Sequence, residues 1–201
     1  MGGIEGSVTN SKGLPISGAR VSAFPQDRNP TGRLKSTLTD DFGRFVIDGL
    51  RPGAYLLFSS KESENYVDTM KFSPGGGSKL APKITVGPRE VTRGVEIRRE
   101  HKATAIRGRV LNGETGTPIT SATIKVSSDG DAKRFFSSAV ALPEGRLDLL
   151  LEPGEAVRIE IHAQGYQTWS YGKDGSPETS EALYLAPEMT KDLIVRLRPL
   201  K

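Results

Sequence analysis

Two histidines, His101 and His162, are the side chains of this sequence best suited to acid–base or metal chemistry. Zinc hydrolase sites combine two histidines with a carboxylate or an equivalent ligand set, and neither histidine lies in a His-x-x-Glu spacing. Cysteine is absent, which excludes thiolate metal sites and cysteine nucleophiles. The sequence also lacks a Gly-x-Ser-x-Gly nucleophile elbow. We therefore predict a non-enzymatic chain without metal or cofactor, with His101 at the surface and His162 in a strand.

Two further patterns resemble ligand sites but are better explained as loops and turns. Residues 75–79 read Gly-Gly-Gly-Ser-Lys, whereas a phosphate-binding loop needs Gly-x-x-x-x-Gly-Lys-Ser/Thr and a following helix. Asp40-Asp41 and the Asp-Gly-Asp sequence of residues 129–131 lack the Asp-x-Asp-x-Asp-Gly pattern of a calcium loop. Such Asp- and Gly-rich sequences are typical of hairpin turns. We interpret residues 75–79 as a flexible loop and the acidic pairs as structural turns.

The strongest candidate for ligand binding is the aromatic segment of residues 165–172, which contains the only tryptophan. In a strand, Trp169 and Tyr171 would share one face, and Tyr166 would point to the other. Flat aromatic faces suit stacking against sugar rings, so Trp169 and Tyr171 are the predicted ligand-binding pair. The interpretation that we prefer is structural: both rings pack against the other domain or cover the end of the core. Tyr166 is expected in the core.

Charge and hydropathy exclude two classes of partner. The formal net charge is +4, and basic residues alternate with apolar ones, as in Val95-Glu96-Ile97-Arg98, which is typical of a half-buried strand. A nucleic-acid site would need a denser basic stripe with stacking aromatics, so we predict no nucleic-acid partner. No apolar run approaches the roughly 18 residues of a membrane span, and residues 1–4 carry no apolar signal region. We expect no membrane insertion, and either a cytosolic chain or a fragment of a secreted parent.

The elements that position these side chains belong to an internal repeat with a spacing of about 100 residues. Both halves carry the same motifs in the same order. The pairs are Ile4–Val8 with Ile106–Val110, Gly13–Ile16 with Gly116–Ile119, Gly18–Val21 with Ser121–Ile124, Gly43–Ile47 with Gly145–Leu149, and Leu50–Gly53 with Leu151–Gly154. A repeat of this length is a whole domain. We predict two domains, residues 1–100 and 103–201.

Each half shows the two-residue periodicity of strands with one buried face. Gly and Pro together make 36 of the 201 residues (23 + 13), which indicates many turns between short elements. The only helix-like stretches, residues 60–65 and 177–182, are short enough for one turn at most. About seven strands without helices in about 100 residues predict an all-β fold: two consecutive antiparallel Greek-key β-sandwiches of the immunoglobulin-like or prealbumin-like type. The predicted core residues are Val21, Phe45, Ile47 and Leu57 in the first domain, and Ile124, Leu147, Leu149 and Ile159 in the second.

The motif order of the first half resembles the carboxypeptidase regulatory-like domain. The order is Gly-x-Val, Asn, Gly-x-Pro-Ile-x-Gly-Ala-x-Val, Thr-Asp-x-x-Gly-x-Phe and Leu-x-Pro-Gly-x-Tyr, running from Ile4 to Leu57. That family is similar to the transthyretin (prealbumin-like) sandwich and to a carbohydrate-binding-like group. The second half departs from the pattern, with Ala141–Glu144 where the first has Thr39–Phe42.

The resemblance implies a non-catalytic module of a larger secreted or cell-envelope protein, acting as a spacer or a protein-interaction domain. The implied partners are other domains of the parent protein or another envelope protein. The implied location is extracellular or in the cell envelope, in the periplasm or at the outer membrane. The alternative is a weak carbohydrate-binding module that uses the aromatic face of the second domain, with polysaccharide as its ligand.

Overall fold

The structure is a computed structural model that describes residues 1–26, 34–68, 81–130 and 135–200. The chain divides into two compact units, Met1–Lys102 and Ala103–Lys201. The described residues form strands, turns and short 3-10 helices, so the predicted all-β class of two consecutive Greek-key sandwiches is confirmed. The predicted glycine-rich loop at residues 75–79 and the acidic residue Asp131 lie outside the described residues.

The first unit contains two sheets. The strands are β1 (Gly2–Asn10), β2 (Arg20–Pro25), β3 (Lys35–Leu38), β4 (Arg44–Leu50), β5 (Gly53–Ser60), β6 (Lys83–Val86) and β7 (Val91–Arg99). One sheet has the strand order β4-β1-β7, and the other has the order β3-β2-β5-β6. The chain crosses between the sheets from β3 to β4 and again from β4 to β5, so consecutive strands cover both sides of the core.

The second unit repeats this arrangement with one more strand. One sheet has the order β11-β8-β15, and the other has the order β10-β9-β12-β13, with β14 also paired to β12. The strands are β8 (Thr104–Asn112), β9 (Ser121–Ser128), β10 (Phe135–Ala141), β11 (Arg146–Leu151), β12 (Ala156–His162), β13 (Trp169–Ser170), β14 (Leu183–Tyr184) and β15 (Thr190–Leu197). The two helix-like stretches are single 3-10 turns, Glu62–Glu64 and Pro177–Thr179, as predicted. A third 3-10 turn, Pro143–Gly145, was not predicted.

The expectation of purely antiparallel sheets is wrong at one pair of strands in each unit. β1 pairs with β7 in parallel, and β8 pairs with β15 in parallel. Parallel neighbours need a long crossover, and here the remaining strands of each unit supply it. Side-chain periodicity is the same in both strand directions, so the sequence pattern could not reveal this pairing.

The predicted core is correct at seven of its eight positions. Val21, Phe45, Ile47 and Leu57 are all buried in the first unit, in a cluster to which both sheets contribute. Ile124, Leu147 and Ile159 are buried in the second unit.

The eighth predicted core residue, Leu149, is only half-buried, and this corrects the prediction. Its neighbour along the strand, Leu151, is 1% exposed. The register of the paired strands places Val157 where the first unit has Tyr55. Less side-chain volume therefore covers this end of the second core.

Candidate functional site

Trp169 lies in the two-residue strand β13, where it pairs with Ile161 of β12. Its indole packs closely against Gly175. A Cβ at that position would lie only 2.5 Å from the indole Nε1. The carbonyl of Gly175, which has a φ of 76°, accepts a hydrogen bond from the Ser170 N–H at 3.0 Å. Trp169 is therefore half-buried, with one edge of its ring covered by the loop that follows β13.

Tyr171 lies just beyond the end of β13, where the chain bends. Regular strand alternation, which would place it on the same face as Trp169, therefore applies only as far as Ser170. Its N–H donates to the Ile159 carbonyl at 2.9 Å. The Lys191 Nζ lies 5.7 Å from the centroid of its ring, within the range of a cation–π contact. Tyr171 is half-buried, and a cation occupies one face of its ring.

The loop that covers Trp169 is held by Asp174. The Asp174 carboxylate accepts hydrogen bonds from the Thr179 hydroxyl and from the Ser176 N–H, the latter at 3.0 Å. The hydrogen bond from Thr179, and to a smaller extent that from Ser176, holds the pKa of Asp174 below its ordinary value. The cavity beside Trp169 measures about 50 Å³, the volume of one or two water molecules. A sugar ring could therefore reach the indole only across its exposed surface.

A larger concave surface lies at one end of the same sheet. It has a volume of about 470 Å³ and is lined by residues 118–123, residues 162–164 and Tyr166. We call it the β9–β12 groove. Four of its ten lining residues carry an aliphatic hydroxyl or an amide: Thr120, Ser121, Thr123 and Gln164. No sequence motif predicted this groove.

His162 stands at the rim of the groove and at the end of β12. Its Nδ1 lies 3.0 Å from the Thr168 hydroxyl, and its Nε2 lies 3.5 Å from Glu160 Oε2. The same Glu160 oxygen is closer to the Lys125 Nζ, at 3.1 Å. A carboxylate that orients a catalytic imidazole sits at about 2.6–3.2 Å, so Thr168 is the closer partner of this ring. The arrangement is a chain of polar contacts on a sheet face.

The other predicted polar positions are surface or turn residues. His101 is exposed, as predicted. Asp40 accepts hydrogen bonds from the N–H groups of Phe42, at 2.9 Å, and Arg44, at 2.8 Å. These are the contacts of a structural turn. Asp129 forms an ion pair with Arg158 at 2.8 Å.

Tyr166, which the sequence places in the core, is half-buried and lines the β9–β12 groove. Its hydroxyl accepts a hydrogen bond from the Asn112 side-chain amide at 3.1 Å. The corresponding Tyr66 of the first unit is 6% exposed. The difference arises because the groove opens beside the second tyrosine, a feature that its sequence neighbours do not signal.

The fold and its polar contacts define a tandem all-β sandwich protein. The family described as the carboxypeptidase regulatory-like domain matches residues 3–94. The resemblance seen in the sequence motifs is therefore confirmed over the first unit. No curated protein matches the chain.

Solved structures similar to this chain over nearly its whole length include the TIE protein and two pilins. The Bacillus anthracis TIE protein is 15% identical over 98% of this chain and 34% of that protein, with a TM-score of 0.38. The minor pilin of Streptococcus agalactiae is 11% identical over 98% of this chain and 96% of that pilin, with a TM-score of 0.40. The shaft pilin SpaA from Lactobacillus rhamnosus GG is 10% identical over 99% of this chain and 98% of that pilin, with a TM-score of 0.34. This chain thus spans about a third of the TIE protein.

Proposed function

We propose that this chain is a non-catalytic tandem β-sandwich module of a larger secreted or cell-envelope protein, where it acts as a spacer or protein-interaction domain. Its partners would be other domains of the parent protein or another envelope protein. The family match of residues 3–94 supports this proposal, and so does the repetition of one sheet arrangement in both units. None of the helices among the described residues could span a lipid bilayer.

The observation that carries the proposal is that the polar side chains form hydrogen bonds that stabilise turns, loops and strands. Asp40 fixes a turn, Asp174 holds a loop, and Arg99 joins two segments of the first unit. His162 is engaged with Thr168 on a sheet face. These contacts maintain the architecture, and each involves groups that a catalytic site would need to keep available for substrate.

The test of the non-catalytic role is an activity survey of the purified chain. Peptidase, esterase and glycosidase substrates should be turned over no faster than in buffer, and His162→Ala should give the same result. EDTA should leave the melting temperature unchanged. Turnover that disappears in His162→Ala, or a melting shift of several degrees with EDTA, would contradict the proposal.

The location can be tested by fractionating cells that express the parent protein. An antibody against this chain should detect it in the culture medium or in the envelope fraction. Recovery with a cytosolic marker enzyme would show that the envelope assignment is wrong.

The alternative function, weak carbohydrate recognition through Trp169 and Tyr171, is favoured by two observations. Both rings remain partly exposed, and the first copy has no counterpart of Trp169-Ser170-Tyr171. Stacking contributes about 1 kcal/mol per ring, and a dissociation constant of 1 mM needs about 4 kcal/mol in total. Binding through these two rings would therefore be weak, near 1 mM at best.

The test of this alternative is Trp169→Ala, measured by glycan array and by protein melting. Sugar binding that disappears while the melting temperature is unchanged would support recognition. A large fall in melting temperature, without any glycan response in the unaltered chain, would assign the indole to packing. Tyr184→Ala, at an exposed aromatic in the same unit, is the matched control and should alter neither measurement.

A further inference from the structure

Each unit has a tyrosine at an equivalent position, Tyr66 and Tyr166, and the two units differ at one residue beside it. In the first unit, the Tyr66 N–H donates to the Lys61 carbonyl at 3.0 Å. In the second, the Tyr166 N–H donates to the Ala163 carbonyl at 3.2 Å. The strand pairs that immediately precede these positions are Ser60 with Arg20 and His162 with Thr123. Lys61 and Ala163 therefore occupy equivalent positions in the two sandwiches.

In the first unit, the Lys61 side chain fills the space at this position. Its ammonium donates a hydrogen bond to the Ser17 carbonyl and forms an ion pair with Glu64 Oε1 at 2.6 Å. The side chain is only 19% exposed, because its stem lies along the protein surface while its head reaches the Ser17–Gly18 backbone. The first unit thus holds the Lys61 side chain between the Ser17 carbonyl and Glu64. We call this position the lysine seat.

In the second unit the same seat is vacant, because Ala163 has neither stem nor ammonium. The β9–β12 groove opens at this place, with a volume of about 470 Å³. Its lining includes Thr120 and Ser121, which correspond in the repeat to Ser17 and Gly18. The groove therefore lies at the position of the Lys61 side chain, but its lining has neither a lysine nor a counterpart of Glu64.

We propose that the β9–β12 groove binds a lysine side chain of a partner polypeptide, in the place that Lys61 fills in the first unit. Pro118, Ala163 and Tyr166, which are exposed or half-buried, supply apolar surface for the four-carbon stem. The Thr120 and Ser121 hydroxyls and the Gln164 amide oxygen supply acceptors for the ammonium, which needs up to three.

This inference deepens the proposed interaction role and rests on it. A single lysine side chain would bind weakly, with a dissociation constant on the order of 1–10 mM. A partner polypeptide would gain further affinity from contacts outside the groove. The lysine would then set the register of the partner on the second unit.

The experiment titrates the full chain with N-acetyl-lysine-N′-methylamide and follows backbone amide shifts by NMR. We expect shifts confined to residues 118–123 and 162–166. The norleucine analogue, which keeps the stem but lacks the ammonium, should bind at least about tenfold more weakly, because charged hydrogen bonds are the stronger ones. Maltose, which tests a neutral polyhydroxylated ligand, should leave these amides unmoved.

Two reciprocal variants make the test specific. Ala163→Lys should fill the groove from within and abolish the lysine response, whereas Thr190→Lys, at an exposed position of β15, adds the same charge and should not. Lys61→Ala should open the seat in the first unit and give new shifts in residues 17–20. Because the two variants change different units, a folding defect in one leaves the other informative.

Several outcomes would overturn the inference. They are equal binding of the lysine and norleucine probes, a response that persists in Ala163→Lys, shifts with maltose instead of lysine, or no response to lysine at 50-fold the expected dissociation constant. Each of these leaves the non-catalytic role intact. Turnover that depends on His162 would instead contradict the proposed function, whatever the lysine probe does.

Discussion

The last strand of each unit ends at an equivalent position, but the residue buried there is charged in one unit and aliphatic in the other. Arg99 ends β7 opposite Asn10, and Leu197 ends β15 opposite Asn112. Both side chains are buried, with 5% of Arg99 and 1% of Leu197 exposed. One sandwich therefore closes this end with a guanidinium, and the other closes it with an aliphatic side chain.

The guanidinium is buried because it finds acceptors. Nη1 donates to the Ser59 carbonyl at 2.6 Å and to the Val67 carbonyl at 3.1 Å, and Nη2 donates to the same Val67 carbonyl at 3.1 Å. The Tyr66 ring lies 5.6 Å from the guanidinium carbon. Arg99 thereby fastens the segment after β5 to the last strand. Leu197 contributes to its core by apolar burial alone, so the same fold position can serve either cross-linking or packing.

The same contrast recurs at the turn before the fourth strand of each unit. The Gly43 N–H donates to the Asp40 carbonyl at 2.9 Å, and the Gly145 N–H donates to the Leu142 carbonyl at 2.8 Å. Asp40 stabilises the turn through its carboxylate, whereas Leu142 is 2% exposed and is buried below the turn. The backbone is shared, and the side chains that support it are not.

The largest expected effect tests a requirement that both units share. A Cβ on Gly108 would lie 1.8 Å from the Leu193 carbonyl oxygen, and one on Gly6 would lie 2.0 Å from the Val95 carbonyl oxygen. Gly108→Ala and Gly6→Ala should each destabilise their own unit by roughly 4 kcal/mol or more, because the parallel strand must separate. Hydrogen exchange of individual amides reports the free energy of unfolding for each unit.

Gly130→Ala is the matched control for these glycine variants. Nothing lies within 4 Å of a Cβ at Gly130, so the change should stay within about 0.5 kcal/mol. A loss below about 1 kcal/mol for Gly108→Ala would show that β15 can shift without cost. The shared glycine would then be no constraint on the fold.

The intermediate effect separates the two ways of closing the sandwich. Arg99→Ala should lower the free energy of unfolding by roughly 2–4 kcal/mol, because the buried Ser59 and Val67 carbonyls lose a donor. Leu197→Ala should cost a comparable 2–5 kcal/mol by opening a cavity. Arg99→Leu distinguishes the mechanisms, since it restores apolar volume but not the donors and should recover only part of the loss. Urea denaturation measures all three.

Arg98→Ala is the control for Arg99→Ala. Arg98 is exposed and pairs with Glu100 at 2.9 Å, so its loss should cost no more than about 1 kcal/mol. If Arg99→Leu proved as stable as the unaltered chain, the guanidinium network would contribute nothing and the comparison with Leu197 would collapse.

The smallest effect concerns Asp40, which has no acidic counterpart in the second unit. The N–H groups of Arg44 and Phe42, together with the Arg44 guanidinium, hold the pKa of the Asp40 carboxyl below its ordinary value of 3.8. A lowered folded-state pKa means that the stabilisation is present above the unfolded pKa and is lost as pH falls through the folded pKa. Asp40→Asn should therefore melt slightly below the unaltered chain at pH 7, and the gap should close below about pH 4.

Melting curves at several pH values measure this gap. Leu142→Ala, at the equivalent turn, should lower the melting temperature by an amount that does not depend on pH over the same range. A gap for Asp40→Asn that widens in acid would mean that the carboxylate does not support the turn.

Local sequence predicted the elements and turns of both units because their physics is local. The alternating apolar residues define the strands, and seven of the eight predicted core residues are buried. Gly43 and Gly145 have φ values of 71° and 73°, which side chains other than glycine rarely adopt. The Asn10 and Asn112 carboxamides accept hydrogen bonds from the following turn, Asn10 from Leu14 and Asn112 from Glu114. These residues act within a few positions of themselves.

The candidate sites were less predictable, because each depends on segments far apart in the sequence. The aromatic pair Trp169 and Tyr171 could be recognised in the sequence. That Gly175 covers part of Trp169 could be known only from the path of the loop in the folded chain. The β9–β12 groove follows from the pairing of β9 with β12, which brings Thr123 beside His162. Comparing Lys61 with Ala163 would have signalled the groove only once the strand register was known.

Residue types and their spacing were enough to identify a repeated β-sandwich with a family resemblance in its first half, since periodicity, glycine conformation and turn chemistry are local properties. The parallel pairing of β1 with β7, the burial of Arg99 and the groove beside Tyr166 emerge only when the chain is folded. Strand direction leaves no trace in a two-residue period. A buried charge or an open groove is defined by which distant atoms fill the surrounding space, and only the folded chain specifies them.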